Sequence, residues 1–224
     1  MTMVARRLAL IALLFSLVLV AARAQESPLP LDPLTPRERE IAASLVREDA
    51  RVREALGPGR VRLIYVDFIA IKSPEDSGSP AEQPPRRRVD ALFYRYDEDI
   101  GIRALVDLEK RAVVDVARVR GGSVPLSLEE VEEAARLAMA DARVRRLVGE
   151  RLSQFHVATG PATADEVNSD RIEGLRVLGT SSQDPCYRHR CVVLFFRSKN
   201  RYEFLNRVVV DLTSQKVQVR EGGQ

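Results

Sequence analysis

The chain has 224 residues, with 35 Lys and Arg against 32 Asp and Glu, two Cys, two His and no Trp. A formal charge of +3 gives no general electrostatic footprint for nucleic acid, and a chain without Trp must build its core mostly from Leu, Val, Ile and Ala.

Arg6 and Arg7 precede an apolar run from Leu8 to Val20, followed by Ala22-Arg23-Ala24. This is the pattern of a signal peptide over residues 1–24, with cleavage expected after Ala24. The run is short for a membrane-spanning helix, so no stable membrane insertion is expected after cleavage; an uncleaved anchor is the other reading. No Cys follows the run, which argues against a lipid anchor. Arg6-Arg7 suits twin-arginine export, but nothing else around the pair supports that route. Arg6, Arg7 and Arg23 leave with the signal and no acid does, so the remainder holds 32 bases and 32 acids. The expected location is secreted or periplasmic.

The rest of the chain repeats itself. Residues Pro33 to Gly57 match Pro125 to Gly149 without a gap at an offset of 92, and DARVR is identical in both. Arg103-Ala-Leu-Val-Asp107-Leu108 also matches Arg207-Val-Val-Val-Asp211-Leu212. The repeat divides the chain into a first unit over 25–120, a linker over 121–124 containing Gly121-Gly122-Ser123, and a second unit over 125–224.

Each unit opens with a helix. In the first, Thr35 is the N-cap, Pro36 takes the first helical position and Glu38 completes a capping box; in the second, Ser127 and Glu130 do the same. Gly57 and Gly149 suit the left-handed residue that ends a helix. Ile41, Leu45, Val52 and Leu56 form one apolar stripe, repeated by Leu137, Val144 and Val148, with Glu133 in place of Ile41. Asp49 and Asp141 either restart a second short helix or lie within a continuous one.

Strands follow. The first unit predicts Arg60 to Ile71, Arg87 to Tyr96, Gly101 to Leu108 and Ala112 to Val119, with Glu109-Lys110-Arg111 as a tight connection. Ser73 to Pro85 is a polar, Pro-rich loop expected to be mobile. The second unit predicts Cys191 to Arg197, Tyr202 to Leu212 and Lys216 to Arg220, with Phe155 to Thr159 and Arg171 to Gly179 as candidates before them. The expected fold class is α+β: two tandem units, each one N-terminal helix packed on an antiparallel sheet.

Chemistry-bearing residues are sparse. Cys186 and Cys191 enclose Tyr187-Arg188-His189-Arg190. In an exported protein the pair favours a disulfide; a Cys-His-Cys metal cluster is the sharper alternative and lacks a fourth ligand nearby. His156 lies in an apolar, strand-like stretch. Glu129, Glu130, Glu132 and Glu133 read as a solvated helix start favoured by the dipole. Arg86-Arg87-Arg88 reads as a solvated loop end, and Asp97-Glu98-Asp99 as a hairpin tip rather than a calcium site. Asp107 and Asp211 suit turn closure by accepting backbone N–H bonds. The sequence has no Gly-rich phosphate loop and no G-x-S-x-G. No cofactor is expected.

Leu31-Asp-Pro-Leu-Thr-Pro36, Leu45-Val-Arg-Glu-Asp49 and Pro125-Leu-Ser-Leu-Glu-Glu130, with the strand endings Arg103 to Val114 and Arg207 to Val217, resemble the N-terminal domains of copper amine oxidases. The resemblance implies two small cystatin-like α+β domains that are non-catalytic and precede a large catalytic domain. That family's copper centre takes three His, whereas this chain has only His156 and His189. Its quinone forms from Tyr in a T-x-x-N-Y-[DE] setting, whereas the nearest text here is Lys199-Asn-Arg-Tyr-Glu203. Ser127-Leu-Glu-Glu-Val, the Ala-rich helix and a Val-Asp-Leu hairpin are also similar to PepSY domains.

The expectation is an exported, non-enzymatic accessory or binding protein whose partner is an unidentified protein in the cell envelope or outside the cell. The alternatives are a diverged fragment or subunit of a copper/quinone amine oxidase and a PepSY-like inhibitor of an exported protease. The second unit holds both Cys and both His, so if either unit has a dedicated site its expected place is near Cys186 to Cys191.

Overall fold

A computed structural model describes residues 32–69, 87–158, 169–198 and 201–220, with 204–207 described for the backbone only. The expected signal peptide, the expected Ser73 to Pro85 loop, residues 70–71 and Thr159 lie outside the described residues. The protein is mixed α/β, with four α-helices and two sheets among the described residues.

The first half opens with α1 (Pro36–Glu48) and α2 (Ala50–Leu56). Thr35 Oγ1 accepts from the Glu38 N–H at 3.2 Å, and the Glu38 carboxylate accepts from the Thr35 N–H at 2.9 Å. Two backbone donors that a helix start would leave bare are thereby satisfied. Asp49 has extended backbone (φ −68°, ψ 125°) and ends α1; its carboxylate then caps α2 by accepting from the Arg51 and Val52 N–H groups. The break gives α2 its own helical phase, so the expected single stripe is replaced. Ala42, Val46 and Val52 form the buried line, Leu45 and Leu56 flank it, and Ile41 is only partly buried.

The second half repeats this with α3 (Leu128–Ala140) and α4 (Ala142–Val148), broken at Asp141. Each half therefore carries two helices, so of the two readings left open at Asp49 and Asp141 the restart holds, and the single N-terminal helix of each expected unit is a pair. Gly57 and Gly149 end the second helix of each pair at φ 56° and 75°, a region that only Gly enters without strain. Their ψ values of −166° and −156° are extended rather than helical, so the chain leaves sharply toward the sheet.

The first sheet is antiparallel in the order β1 (Val61–Ile69), β2 (Arg88–Arg95), β3 (Ile100–Asp107), β4 (Ala112–Arg120). One face, carrying Val89, Ala91, Ala104, Val106 and Val113, packs on α1 and α2. The second sheet has the order β5 (His156–Val157), β6 (Arg171–Val177), β7 (Cys191–Ser198), β8 (Arg201–Asp211), β9 (Lys216–Val219). Its edge departs from the expected antiparallel meander, because β5 runs parallel to β6.

The second core is shared between halves. Ile172, Val192, Leu194, Phe196, Val208 and Val210 lie in one apolar cluster with Ala134, Ala135 and Ala138 of α3. The same cluster takes in Leu92, Tyr94 and Tyr96 from the first sheet. The three Ala are fully buried, and their small side chains let α3 sit close to its neighbours. Residues 121–124 do not behave as a free spacer. Gly121–Ser123 is a 3-10 turn, Gly121 is buried with its N–H bonded to Asp99 O at 3.1 Å, and Val124 joins the shared core.

Candidate functional site

The residues that hold the two helix starts make one arrangement twice. In the first half Arg87, just before β2, donates through Nε to Glu38 Oε1 and through Nη2 to Glu38 Oε2. The same guanidinium donates to the carbonyls of Asp32 and Pro33 at 2.9 and 3.0 Å. In the second half Arg190, just before β7, donates to both oxygens of Glu130 at 2.9 and 2.7 Å. It also donates to the carbonyls of Val124 and Pro125 at 2.8 and 2.6 Å. A fork of fixed N–H donors on a capping carboxylate locks both helix start and incoming chain.

This placement corrects two expectations. Arg87 is not a solvated loop end, because its side chain is 9% exposed. The glutamates of α3 are not simply solvated, because Glu130 and Arg190 are fully buried. Hydrogen bonds from Arg87 hold the Glu38 carboxyl down at about 2. At Glu130 burial acts most strongly and favours the neutral acid, yet the bonds from Arg190, Ser127 and Tyr96 leave the group below the usual carboxylate range.

The second clamp reaches into the first half. Tyr96 Oη donates to Glu130 Oε1 at 2.7 Å, and the Arg190 guanidinium lies 4.3 Å above the Tyr94 ring. Tyr94 Oη bonds Asp99, which pairs with Arg176 of β6 at 3.3 Å. Arg176 also donates to the carbonyls of Gly121 and Val124. Burial, with Asp99 hydrogen bonding next, raises the Tyr94 phenol far above its ordinary value, and burial does the same at Tyr96. Both therefore stay neutral donors. Glu133 ties the halves again through Arg60 at 2.7 Å and Arg62, while Arg60 donates to Leu212 O at 2.6 Å.

Cys186 and Cys191 form a disulfide, so their sulfurs are not available as metal ligands. The bridge closes the loop that carries Arg190. Arg190 N–H bonds Thr213 Oγ1 at 3.0 Å, and Leu212 N–H bonds Arg190 O at 2.8 Å. His189 Nδ1 lies 2.6 Å from Asp211 Oδ2. Asp211 also accepts from the Thr213 and Ser214 N–H groups at 2.9 and 3.1 Å, and Asp107 accepts from the Lys110 N–H at 2.9 Å. His156 is exposed on β5. Asp97 pairs with Arg95 at 2.8 Å. Among the described residues no group of three His, Cys, Asp or Glu is placed to hold a metal ion. No described helix is long and apolar enough to cross a membrane.

Arg87 was read from sequence only as a loop end, and Arg190, Tyr96, Arg176 and Arg60 were not singled out. A signal for the first two exists: each precedes its strand by one residue, at an offset of 103 rather than 92.

No protein-family model matches the sequence, and no curated protein sequence matches it. Among solved structures the chain is similar to a copper-containing benzylamine oxidase from Hansenula polymorpha, with 15% identity and a TM-score of 0.49. The similarity covers 88% of this chain and 31% of that chain, so this protein spans less than a third of the oxidase's length.

Proposed function

We propose that this chain is an exported, non-enzymatic accessory or binding protein, made of two cystatin-like units that arose by duplication and acting through protein–protein contact. The observation that carries the reading is the doubled clamp. Arg87 with Glu38 and Arg190 with Glu130 use the same donors on the same acceptors, each reaching the two carbonyls that precede a capped helix. These charged groups face one another and the backbone rather than a substrate. The disulfide supports an oxidising compartment, in keeping with the signal-like N-terminus. Exposed edges and faces of the two sheets are then the working surfaces.

The test is affinity capture from the cell-envelope extract of the source organism, run beside an assay for amine-dependent peroxide production. The expected outcome is one specific protein retained in stoichiometric amount and no peroxide from the chain alone. Peroxide formation by the purified chain overturns the reading, and so does the absence of any specific partner across several extraction conditions.

A further inference from the structure

The free edge of β1 differs from the other sheet edges. Arg60 O accepts from the Tyr96 N–H at 3.1 Å, so the antiparallel register turns the backbone of Arg62, Tyr65 and Asp67 toward β2. Val61, Leu63 and Val66 therefore turn their backbone N–H and C=O groups away from the sheet. Among the described residues no strand and no side chain takes these groups. On β4 the outward carbonyl of Val113 accepts from Arg51 at 2.5 Å, and on β9 that of Val217 accepts from Arg143 at 2.7 Å. Arg51 and Arg143 are the first arginines of the two DARVR segments, so the repeat guards the last strand of each half in the same way. β5 is only two residues long. Natural sheets blunt their edges by such means, and a long edge left open is a place for another strand. On β1 a register shift between Leu63 and Tyr65, and the Asp67 carboxylate on the Phe68 N–H at 2.7 Å, confine the open stretch to Val61 to Val66.

We propose that an extended segment of a partner protein, carrying an aliphatic side chain and a Lys or Arg, adds to β1 as a further strand. A groove of about 660 Å³ lies beside this edge, between α1 of the first half and the start of α3 in the second. Leu63, 44% exposed, Val66 and Ala43 of α1 give it an apolar lining. Two carboxylates, Glu40 and Glu129, and one guanidinium, Arg39, also line it. All three are exposed and make no ion pair among the described residues. The unpaired edge calls for extended backbone, the apolar lining for an aliphatic side chain and the excess of carboxylate for a cation. A helix, whose backbone groups bond one another, has none to offer the edge. The proposal rests on the partner-binding reading and names its surface, where the added strand touches both halves.

Selection of random displayed peptides of about seven residues, the length of a typical strand, on the protein purified from its source cells tests the proposal. The enriched peptides are expected to alternate aliphatic residues with Lys or Arg. Their binding is expected to slow hydrogen exchange at the Val61, Leu63 and Val66 amides, and N-methylation of the peptide backbone is expected to abolish it. Leu63→Pro removes one outward N–H without touching the bonds to β2, and Glu129→Lys reverses one carboxylate. Each is expected to weaken peptide binding about tenfold. Glu54→Lys, in the groove beside β4, is expected to leave it unchanged. Circular dichroism checks folding, and Glu129→Lys, at an exposed position, carries the test if Leu63→Pro does not fold. No enrichment, enriched peptides that leave the three amides unprotected, or binding unaffected by Glu129→Lys overturns the proposal. An envelope protein captured equally by wild type and both variants overturns the groove and leaves the partner-binding reading standing. Peptides bound at β1 with no envelope protein captured support the groove and remove that reading.

Discussion

The two arginine clamps are the same device in different surroundings. Around Arg87 and Glu38 the side chains keep 9% and 15% of their exposure, and the neighbouring ring is Phe68 at 5.5 Å. Around Arg190 and Glu130 both are fully buried, and Tyr94 and Tyr96 of the other half close over them. The first clamp holds one helix start. The second holds a helix start, the joint between the halves and the disulfide loop together. Burial turns a cap into a keystone because an unpaired charge there has no water to fall back on.

The largest expected effect comes from breaking the buried pair. Arg190→Met leaves Glu130 buried and ionised without its partner, which costs about 3 to 5 kcal/mol. Urea unfolding measures it. An Arg190→Met cost no larger than that of Arg87→Met would end the distinction between the clamps. Next is the Cys186→Ala, Cys191→Ala double variant. Opening so short a loop costs about 2 kcal/mol by chain entropy. The loop carries Arg190, so hydrogen exchange at Leu212, whose N–H bonds Arg190 O, is expected to rise while exchange at Leu108 does not.

What was legible in the sequence was local. The caps at Thr35, Glu38, Ser127 and Glu130, the strands and the turns follow from patterns within a few residues of each other. The pairing of β5 with β6 was not legible, since two residues forming a parallel edge leave almost no periodicity. The break at Asp49 was left open, since Asp suits a local cap there while an apolar stripe runs through it. Glu130 looked like a solvated glutamate among others because its burial depends on Arg190, 60 positions away. Only carrying the repeat past the helices, through its change of offset, would have set Arg87 beside Arg190.

The outer clamp is expected to respond less. Arg87→Met costs about 1 to 2 kcal/mol, since water can reach the group left behind. It also changes the acid response. Glu38 has an ordinary value of 4.5 and is held at about 2 in the folded chain by hydrogen bonds from Arg87. Its contribution is therefore fully present above about 4.5 and is lost as pH falls through about 2. Melting temperature followed across that window is expected to fall less steeply in Glu38→Gln than in wild type. Equal slopes would remove the carboxylate from the account of acid sensitivity.

The smallest expected effect lies where the repeat itself departs. Glu133 occupies the place of Ile41 and bonds Arg60, Arg62 and Gln215. Its partners are partly solvated, Arg60 at 37% and Arg62 at 25%, so Glu133→Ile should cost no more than about 1 kcal/mol. The informative quantity is cooperativity. Tyr94, Tyr96 and Val124 remain in the shared core and Asp99 still pairs with Arg176, but the ties from Glu133 to Arg60 and Arg62 are gone. Calorimetry is expected to show a broader transition, with the calorimetric enthalpy exceeding the van't Hoff value. If Glu133→Ile instead unfolds as sharply as wild type, the shared core, the buried clamp and the Asp99–Arg176 pair couple the halves without it, and the exchange of Ile for Glu at this position has no part in joining them.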